Sequence, residues 1–351
     1  MSRILVYTRT FFPVMGGLER NTFTLCRLLT EWGHSVTLAT ETLEQDSRDF
    51  SFRVIRTRSQ AQIVREVLKA DLVLMNGGIS VKVCFPALLS RKRYAPIYQS
   101  SDLFVRENDR GLGAWVRSFL AARATLHVTV SRFAQGRLEK LLPGKKCLAV
   151  PNPIDAELLH LVDASAPAEK AFDLLFAGRL IDGKGIFHLL EALEMLRDRL
   201  TLRVAFAGEG EHREQLIEQA AQRRVPIELL GRLDRDSLIQ AYRKARVLVV
   251  PSSTHTEGNP LVIAEALTCG LPVIASDQGA MVEAIGDAGC CFKRYDAADL
   301  ARQIQWMFTE NHLEACTRLT AVRQEEFSLD AYAGRIREVL KTAGLQPEAS
   351  R

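Results

Sequence analysis

The sequence predicts an α/β protein made of two Rossmann-like, doubly wound parallel-sheet domains in tandem. Three observations carry that prediction. The chain has 351 residues, more than one domain of roughly 100 to 200 residues usually holds. Short β-branched runs alternate with segments of helical periodicity, which demands crossover helices and hence parallel strands. The alternation stops after Pro151-Asn152-Pro153 and then starts afresh.

In the first half the strand-like runs are Ile4 to Thr8, Val36 to Thr40, Leu72 to Met75, Ile97 to Gln99, Leu126 to Val130 and Leu148 to Val150. Between them Leu18 to Trp32, Ala61 to Lys69 and Ser131 to Leu141 place apolar residues three and four apart, the spacing of a helix with one buried face. Asp163 to Lys170 lacks apolar periodicity and reads as the linker.

The second series runs Asp173 to Ala177, Leu202 to Ala207, Ile227 to Leu230, Val247 to Val250 and Pro272 to Ala275. Helical segments follow around Leu300 to Phe308, Leu313 to Glu326 and Asp330 to Lys341. The expected domains are therefore 1–160 and 161–327. In open α/β sheets ligands bind beyond the carboxyl ends of the strands, so two such sheets facing one another predict a deep cleft.

Composition narrows the class. Hydrophobic residues at 47% and charged residues at 25% are ordinary globular values and leave disorder unsupported. The apolar run Ile4-Leu5-Val6-Tyr7 is too short for a signal-peptide core or a membrane span, so a cytoplasmic protein is expected. Seven cysteines without a C-x-x-C pair suit buried free thiols. Charge is uneven: residues 1–155 hold 23 Lys+Arg against 13 Asp+Glu, and the remainder 23 against 29. A basic first half suits an anionic membrane surface or a phosphate-bearing acceptor. Nucleic acid is not expected, since no aromatic or helix-turn-helix signature accompanies the charge.

Several loops carry chemistry. Gly16 and Gly17 sit between the first strand and a helix, where the backbone can approach an anion closely. After the strand ending at Ala177 come Gly178, Arg179 and, five positions on, Lys184: a planar fork and a point charge suited to a diphosphate. Gly185 stands where a P-loop has Ser or Thr, so a magnesium-bound triphosphate is the poorer fit. After Val250, the helix opened by Gly258, Asn259, Pro260 and Leu261 offers free N–H groups to a phosphate. Glu257 precedes that helix and Glu265 lies about two turns along it; carboxylates accept hydrogen bonds from vicinal hydroxyls of a sugar or ribose. No acidic triplet suggests a metal site, and no G-x-G-x-x-G follows a strand, which disfavours a dinucleotide oxidoreductase.

Taken in order, Gly16-Gly17-Leu18-Glu19, Gly33-His34-Ser35-Val36, Val150-Pro151-Asn152-Pro153, Gly178-Arg179-Leu180 with Lys184-Gly185, Gly208-Glu209-Gly210 and Glu257-Gly258 through Glu265-Ala266 resemble the large family 4 of retaining, nucleotide-sugar-dependent glycosyltransferases, whose fold is GT-B. The resemblance spans nearly the whole chain. It implies that Arg179 and Lys184 hold the donor diphosphate and that Gly16-Gly17 approaches it from the other domain. Glu257 would then bind the transferred sugar, Gly258 to Leu261 the sugar and phosphate, Glu265 the ribose, and Arg232-Leu233 the base. It also implies a UDP- or GDP-sugar donor, no metal or other cofactor, a glycan or lipid-linked acceptor, and a last helix, about 328–351, returning to the first domain.

One departure stands out. Many members carry a His followed by an acid after the strand that ends near Gln99, whereas this chain reads Ser100-Ser101-Asp102, leaving Asp102 to supply the acid. The rival readings are a nucleotide-sugar epimerase of similar architecture and a non-catalytic nucleotide-sugar-binding subunit. The basic first half, with Arg91-Lys92-Arg93 and the Leu112 to Ala124 segment, further suggests peripheral contact with the inner face of a membrane.

Overall fold

The computed structural model describes residues 1–14, 16–100, 111–154, 162, 169–253, 258 and 260–346. It divides into two compact units, Met1–Pro153 with Leu329–Arg351, and Ile154–Ser328.

The first unit is built on seven strands: β1 Arg3–Thr8, β2 Ser35–Thr40, β3 Arg53–Arg56, β4 Leu72–Asn76, β5 Arg93–Tyr98, β6 His127–Thr129 and β7 Cys147–Ala149. They lie in the order β3-β2-β1-β4-β5-β6-β7, and every pairing is parallel. The order reverses between β1 and β4, where Val6 faces Leu38 on one side and Leu74 on the other. Both central strands are buried on both faces, as their unbroken Val/Ile/Leu runs require.

Helices α1 Gly17–Glu31, α2 Gln60–Lys69, α3 Val81–Leu89, α4 Leu112–Ala122 and α5 Arg132–Leu141 connect the strands. Leu25, Leu28 and Leu29 of α1 pack on one face of the sheet with Ile4, Val6 and Leu38. On the other face α2, α3 and α4 pack through Ile63, Val67, Val83, Ala87 and Leu120 against Leu5, Tyr7 and Val73.

The second unit repeats the plan with six parallel strands: β8 Phe172–Ala177, β9 Val204–Ala207, β10 Glu228–Gly231, β11 Ala245–Val250, β12 Val273–Ser276 and β13 Gly289–Phe292, in the order β10-β9-β8-β11-β12-β13. Its helices are α6 Ile186–Leu196, α7 Arg213–Gln222, α8 Arg235–Lys244, α9 Leu261–Thr268, α10 Gly279–Ile285, α11 Ala297–Met307 and α12 His312–Gln324. The switch in strand order falls between β8 and β11.

The chain then enters α13, Leu329–Thr342, which belongs to the first unit. Tyr332, Ile336, Val339 and Leu340 join the α1 side of that unit's core. A buried amide network ties the helix in: Asn21 Nδ2 donates to the Tyr332 hydroxyl at 3.2 Å, and Asn76 Nδ2 donates to Asn21 Oδ1 at 3.0 Å. Gln99 Nε2 donates to Asn76 Oδ1 at 2.6 Å, and Asn152 Nδ2 donates to Gln99 Oε1 at 2.7 Å. Buried amides without partners are costly, so each satisfied link fixes the position of the next.

The first unit ends at Pro153, ahead of the 160 boundary and the 163–170 linker expected from composition. Ile154 explains the earlier crossing: it is buried in the core of the second unit, and its N–H donates to the Phe327 carbonyl at 2.8 Å. Several elements escaped the periodicity, among them β3, β13 and α3. The edge strand β3 has only Ile55 buried, β13 is a Gly-Cys-Cys edge strand, and α3 carries Pro86 inside a nearly uniform apolar run. All seven cysteines are free. Burial pushes the thiols up, to about 12 at Cys84, Cys147 and Cys269.

Candidate functional site

In the second unit a cavity of about 570 Å³ opens at the carboxyl ends of β8, β9 and β10. Ala177, Gly178, Arg179, Gly208, Glu209, Arg232 and Leu233 line it from the three strand ends; Leu238, Tyr242, Val262 and Glu265 line it from α8 and α9. It lies beside the switch in strand order, where a doubly wound sheet leaves room for a ligand.

The loops forming its floor are laced by their backbones. Gly178 N–H donates to the Ala207 carbonyl at 2.9 Å, Leu180 N–H to Glu209 at 2.9 Å and Gly208 N–H to Gly231 at 2.8 Å. Such approach leaves no space for side chains. A Cβ on Gly208, whose φ is +145°, would lie 1.8 Å from the Gly178 carbonyl oxygen, and one on Gly210 would lie 2.2 Å from that of Leu180. The Gly208-Glu209-Gly210 sequence is therefore a device that brings two strand ends together.

Arg179 and Arg232 extend from this floor as exposed guanidinium groups. Among the described residues neither makes a hydrogen bond or ion pair, so both are available to an anion. Across the cavity Glu265, half-buried on α9, is held by the Tyr242 hydroxyl, which donates to its Oε2 at 3.1 Å. Tyr242 is buried at 1% exposure; burial, and secondarily the Glu265 charge, push its phenol well above the ordinary value, so it stays a donor.

Lys184 lies on a single 3-10 turn, Asp182–Lys184, and is not part of the cavity lining. The reason for Gly185 is now concrete. With φ at +71°, its Cβ would lie 1.8 Å from the Pro251 carbonyl oxygen, so the glycine packs the loop against the end of β11. Gly258 and Pro260 are buried ahead of α9, and Pro260 serves as its N-cap. Leu261 and Val262 follow in the first turn, and their two N–H groups have no intrahelical acceptor. Asp102, Glu257 and Asn259 lie outside the described residues.

The first unit has a cavity of its own, about 610 Å³, at the carboxyl ends of β1, β2 and β4. Its lining includes Tyr7, Arg9, Thr10, Glu41, Arg58, Asn76 and Ser80. Glu41 Oε1 accepts from the Tyr7 hydroxyl at 2.7 Å and from Lys82 Nζ at 2.8 Å. Lys82 holds the Glu41 carboxyl below its usual range, while burial and then Glu41 push the Tyr7 phenol up to about 12. Gly16 is the N-cap of α1 and Gly17 its first residue. They stand beside this cavity and do not line it, whereas Val14 and Leu18 do. A Cβ on Gly16 would lie 2.6 Å from Oε2 of the buried Glu19.

Sequence reasoning named five of the residues lining the second cavity: Gly178, Arg179, Arg232, Leu233 and Glu265. It missed Tyr242, which reads as an ordinary apolar-face residue of α8 until Glu265 is set opposite it. It also missed the first unit's cavity, whose members are scattered singly between Tyr7 and Ser80.

Residues 161–323, nearly all of the second unit, match the family model of glycosyl transferases group 1. A glycogen synthase of Mycobacterium tuberculosis is 31% identical over 216 residues, 60% of this chain and 51% of that protein. The chain thus spans about half the length of that curated relative. Among solved structures, Anabaena HepE in complex with UDP superposes with a TM-score of 0.75 at 18% identity, covering 97% of this chain and all of the other. A glycosyltransferase from Rickettsia africae gives a TM-score of 0.77 at 15% identity, covering 97% and 98%. At such identities the likeness establishes the fold, which is GT-B with two Rossmann-like parallel-sheet units.

Proposed function

We propose that the chain is a retaining, metal-independent glycosyltransferase that moves a sugar from a nucleoside diphosphate donor to a glycan or lipid-linked acceptor. The observation that carries this reading is convergence. Arg179, Arg232 and Glu265, on three different loops and helices, meet around one cavity at the switch point of the second sheet.

In this reading Arg179 and Lys184 take the diphosphate and Leu233 and Arg232 the base. Glu265, oriented by Tyr242, takes the ribose hydroxyls. Glu257 and the turn from Gly258 through Asn259 and Pro260 to Leu261 take the sugar and its phosphate, and the backbone of Gly16 and Gly17 takes a donor phosphate. Asp102 supplies the acid. The UDP bound to HepE makes a UDP-sugar the first donor to test.

The bond from the anomeric carbon to the diphosphate oxygen breaks as the acceptor oxygen bonds the same face of the sugar. The acceptor proton leaves with the diphosphate. Negative charge grows on the departing oxygen, so fixed cations and helix N–H groups stabilise the transition state more than the bound donor. Metal-ion help is not required by this scheme, and a chelator should leave the rate unchanged.

The test is a panel of UDP- and GDP-sugars screened by thermal shift, followed by acceptor trials and assignment of the product anomer by NMR. One donor should raise the melting temperature and yield a product of unchanged anomeric configuration. Inversion would overturn the retaining assignment. Consumption of the donor without acceptor, giving an isomerised sugar nucleotide, would replace the proposal with an epimerase.

A further inference from the structure

Helices α3 and α4 lie side by side on one face of the first sheet, since β4, β5 and β6 succeed one another in the same direction and their crossovers share a hand. Each buries one side and leaves the other bare. On α3, Val83, Cys84 and Ala87 face the sheet, while Val81, Phe85 and Leu89 are 44%, 52% and 71% exposed. These three are spaced by four and form one stripe. On α4, Ala114, Leu120 and Ala121 are buried, while Leu112 and Trp115 are 78% and 62% exposed. Trp115 stacks on half-buried Phe119 at 5.6 Å. An apolar surface of this kind on a soluble unit marks a contact.

Charge identifies the partner. Residues 81–93 and 111–125 contain no Asp or Glu; Lys82 is paired with Glu41 and Arg93 donates to the Ala343 and Gly344 carbonyls, which leaves Arg91, Lys92, Arg117 and Arg123 as the cations of this face. Arg91 and Lys92 follow the end of α3, and Arg123 ends α4 with its guanidinium 4.5 Å from the Phe119 ring centroid. A second copy of this chain meeting through the same face would set cations against cations. An anionic bilayer accepts apolar side chains below its headgroups and cations at their level, and asks for no shape complementarity.

We infer that the outer face of α3 and α4 docks onto the surface of an anionic membrane. Ser80, immediately before α3, lines the first unit's cavity, so docking brings the rim of that cavity to the lipid. The substrate class implied for the cavity is an amphiphile whose polar head enters while its tail stays in the bilayer. That implication rests on the proposed glycosyl transfer; the docking itself does not.

The experiment is co-sedimentation of the full chain with vesicles of phosphatidylcholine alone and of phosphatidylcholine with about one-third phosphatidylglycerol. The wild type should sediment with the anionic vesicles and be released by high salt. Phe85→Ser with Trp115→Ser, and separately Arg91→Glu with Arg123→Glu, should each lower partitioning by about tenfold or more. UDP binding by thermal shift should persist in both, which shows that they are folded. Equal sedimentation of wild type and the apolar double variant would overturn the inference, as would a wild type that ignores anionic vesicles. A stable dimer dissolved by the apolar substitutions would assign the face to self-association instead. Loss of UDP binding in the wild type, with vesicle binding intact, would refute the donor assignment and leave the docking surface standing.

Discussion

The Tyr242 hydroxyl donates to Glu265 Oε2 at 3.1 Å, joining α8 to α9 across the mouth of the second unit's cavity. The bond ties one carboxylate oxygen to a buried donor and sets the direction in which Glu265 meets a ligand. Tyr242→Phe removes only that hydroxyl. A hydrogen bond to a charged group is worth about 1.5–3 kcal/mol, and water at half-buried Glu265 recovers part of it. The donor KM should rise about five- to tenfold, with kcat changed by less than about twofold. An unchanged KM would remove the positioning role.

The Arg179 side chain is exposed and makes no hydrogen bond or ion pair with the described residues, so its loss has little to disturb. Arg179→Ala should leave the denaturation midpoint within about 0.5 kcal/mol of wild type. By contrast kcat/KM should fall about a hundredfold or more, the scale of losing one preorganised group that stabilises developing charge. Lys184→Ala should act in the same direction. Near-normal turnover in both variants would refute their assignment.

Gly208 tests the backbone lacing. Ala at 208 would set a Cβ 1.8 Å from the Gly178 carbonyl oxygen at a φ of +145°, against backbone atoms of Gly178 and no flexible side chain that could yield. The expected cost is at least about 3 kcal/mol, seen as a lowered urea midpoint. Gly136, inside α5, is the control: nothing lies within 4 Å of its Cβ position. Gly136→Ala should stabilise by about 0.5–1 kcal/mol.

His127 makes the first unit sensitive to acid. Burial pushes its imidazole down to about 4 from 6.5, and the Tyr98 hydroxyl lies 3.1 Å from its Nδ1. The folded state keeps the ring neutral while the unfolded chain takes a proton below 6.5. Stability is therefore whole above 6.5 and falls as pH drops toward 4, by about 2 kcal/mol at pH 5. Urea titrations at pH 7 and pH 5 measure the drop. In His127→Gln it should shrink by about that amount; an equal drop in both proteins would acquit His127.

Much of this protein is local and so was legible in its sequence. Strand and helix periodicities act over a dozen residues, and they placed β1, β2, β4, β8, β9 and β11, and the helices α1, α2, α5, α11, α12 and α13, to within a few positions at the ends. Arg179 on its loop and Glu265 on its helix were singled out by the same local reading and Arg232 by the family resemblance, and all three line the second unit's cavity. What the sequence hid depends on who meets whom. Val81, Phe85 and Leu89 look like core residues until α3 is docked on the sheet by its opposite side. Asn21, Asn76, Gln99, Asn152 and Tyr332 look like unrelated polar residues until the strand order sets them in one buried network. The crossing at Pro153 was decided by Ile154, which the sequence leaves inside the expected first domain and which is core of the second unit because Phe327 waits for it. Propensity governs what a segment becomes; the order of strands in a sheet, settled by burial over hundreds of residues, governs which segments become neighbours.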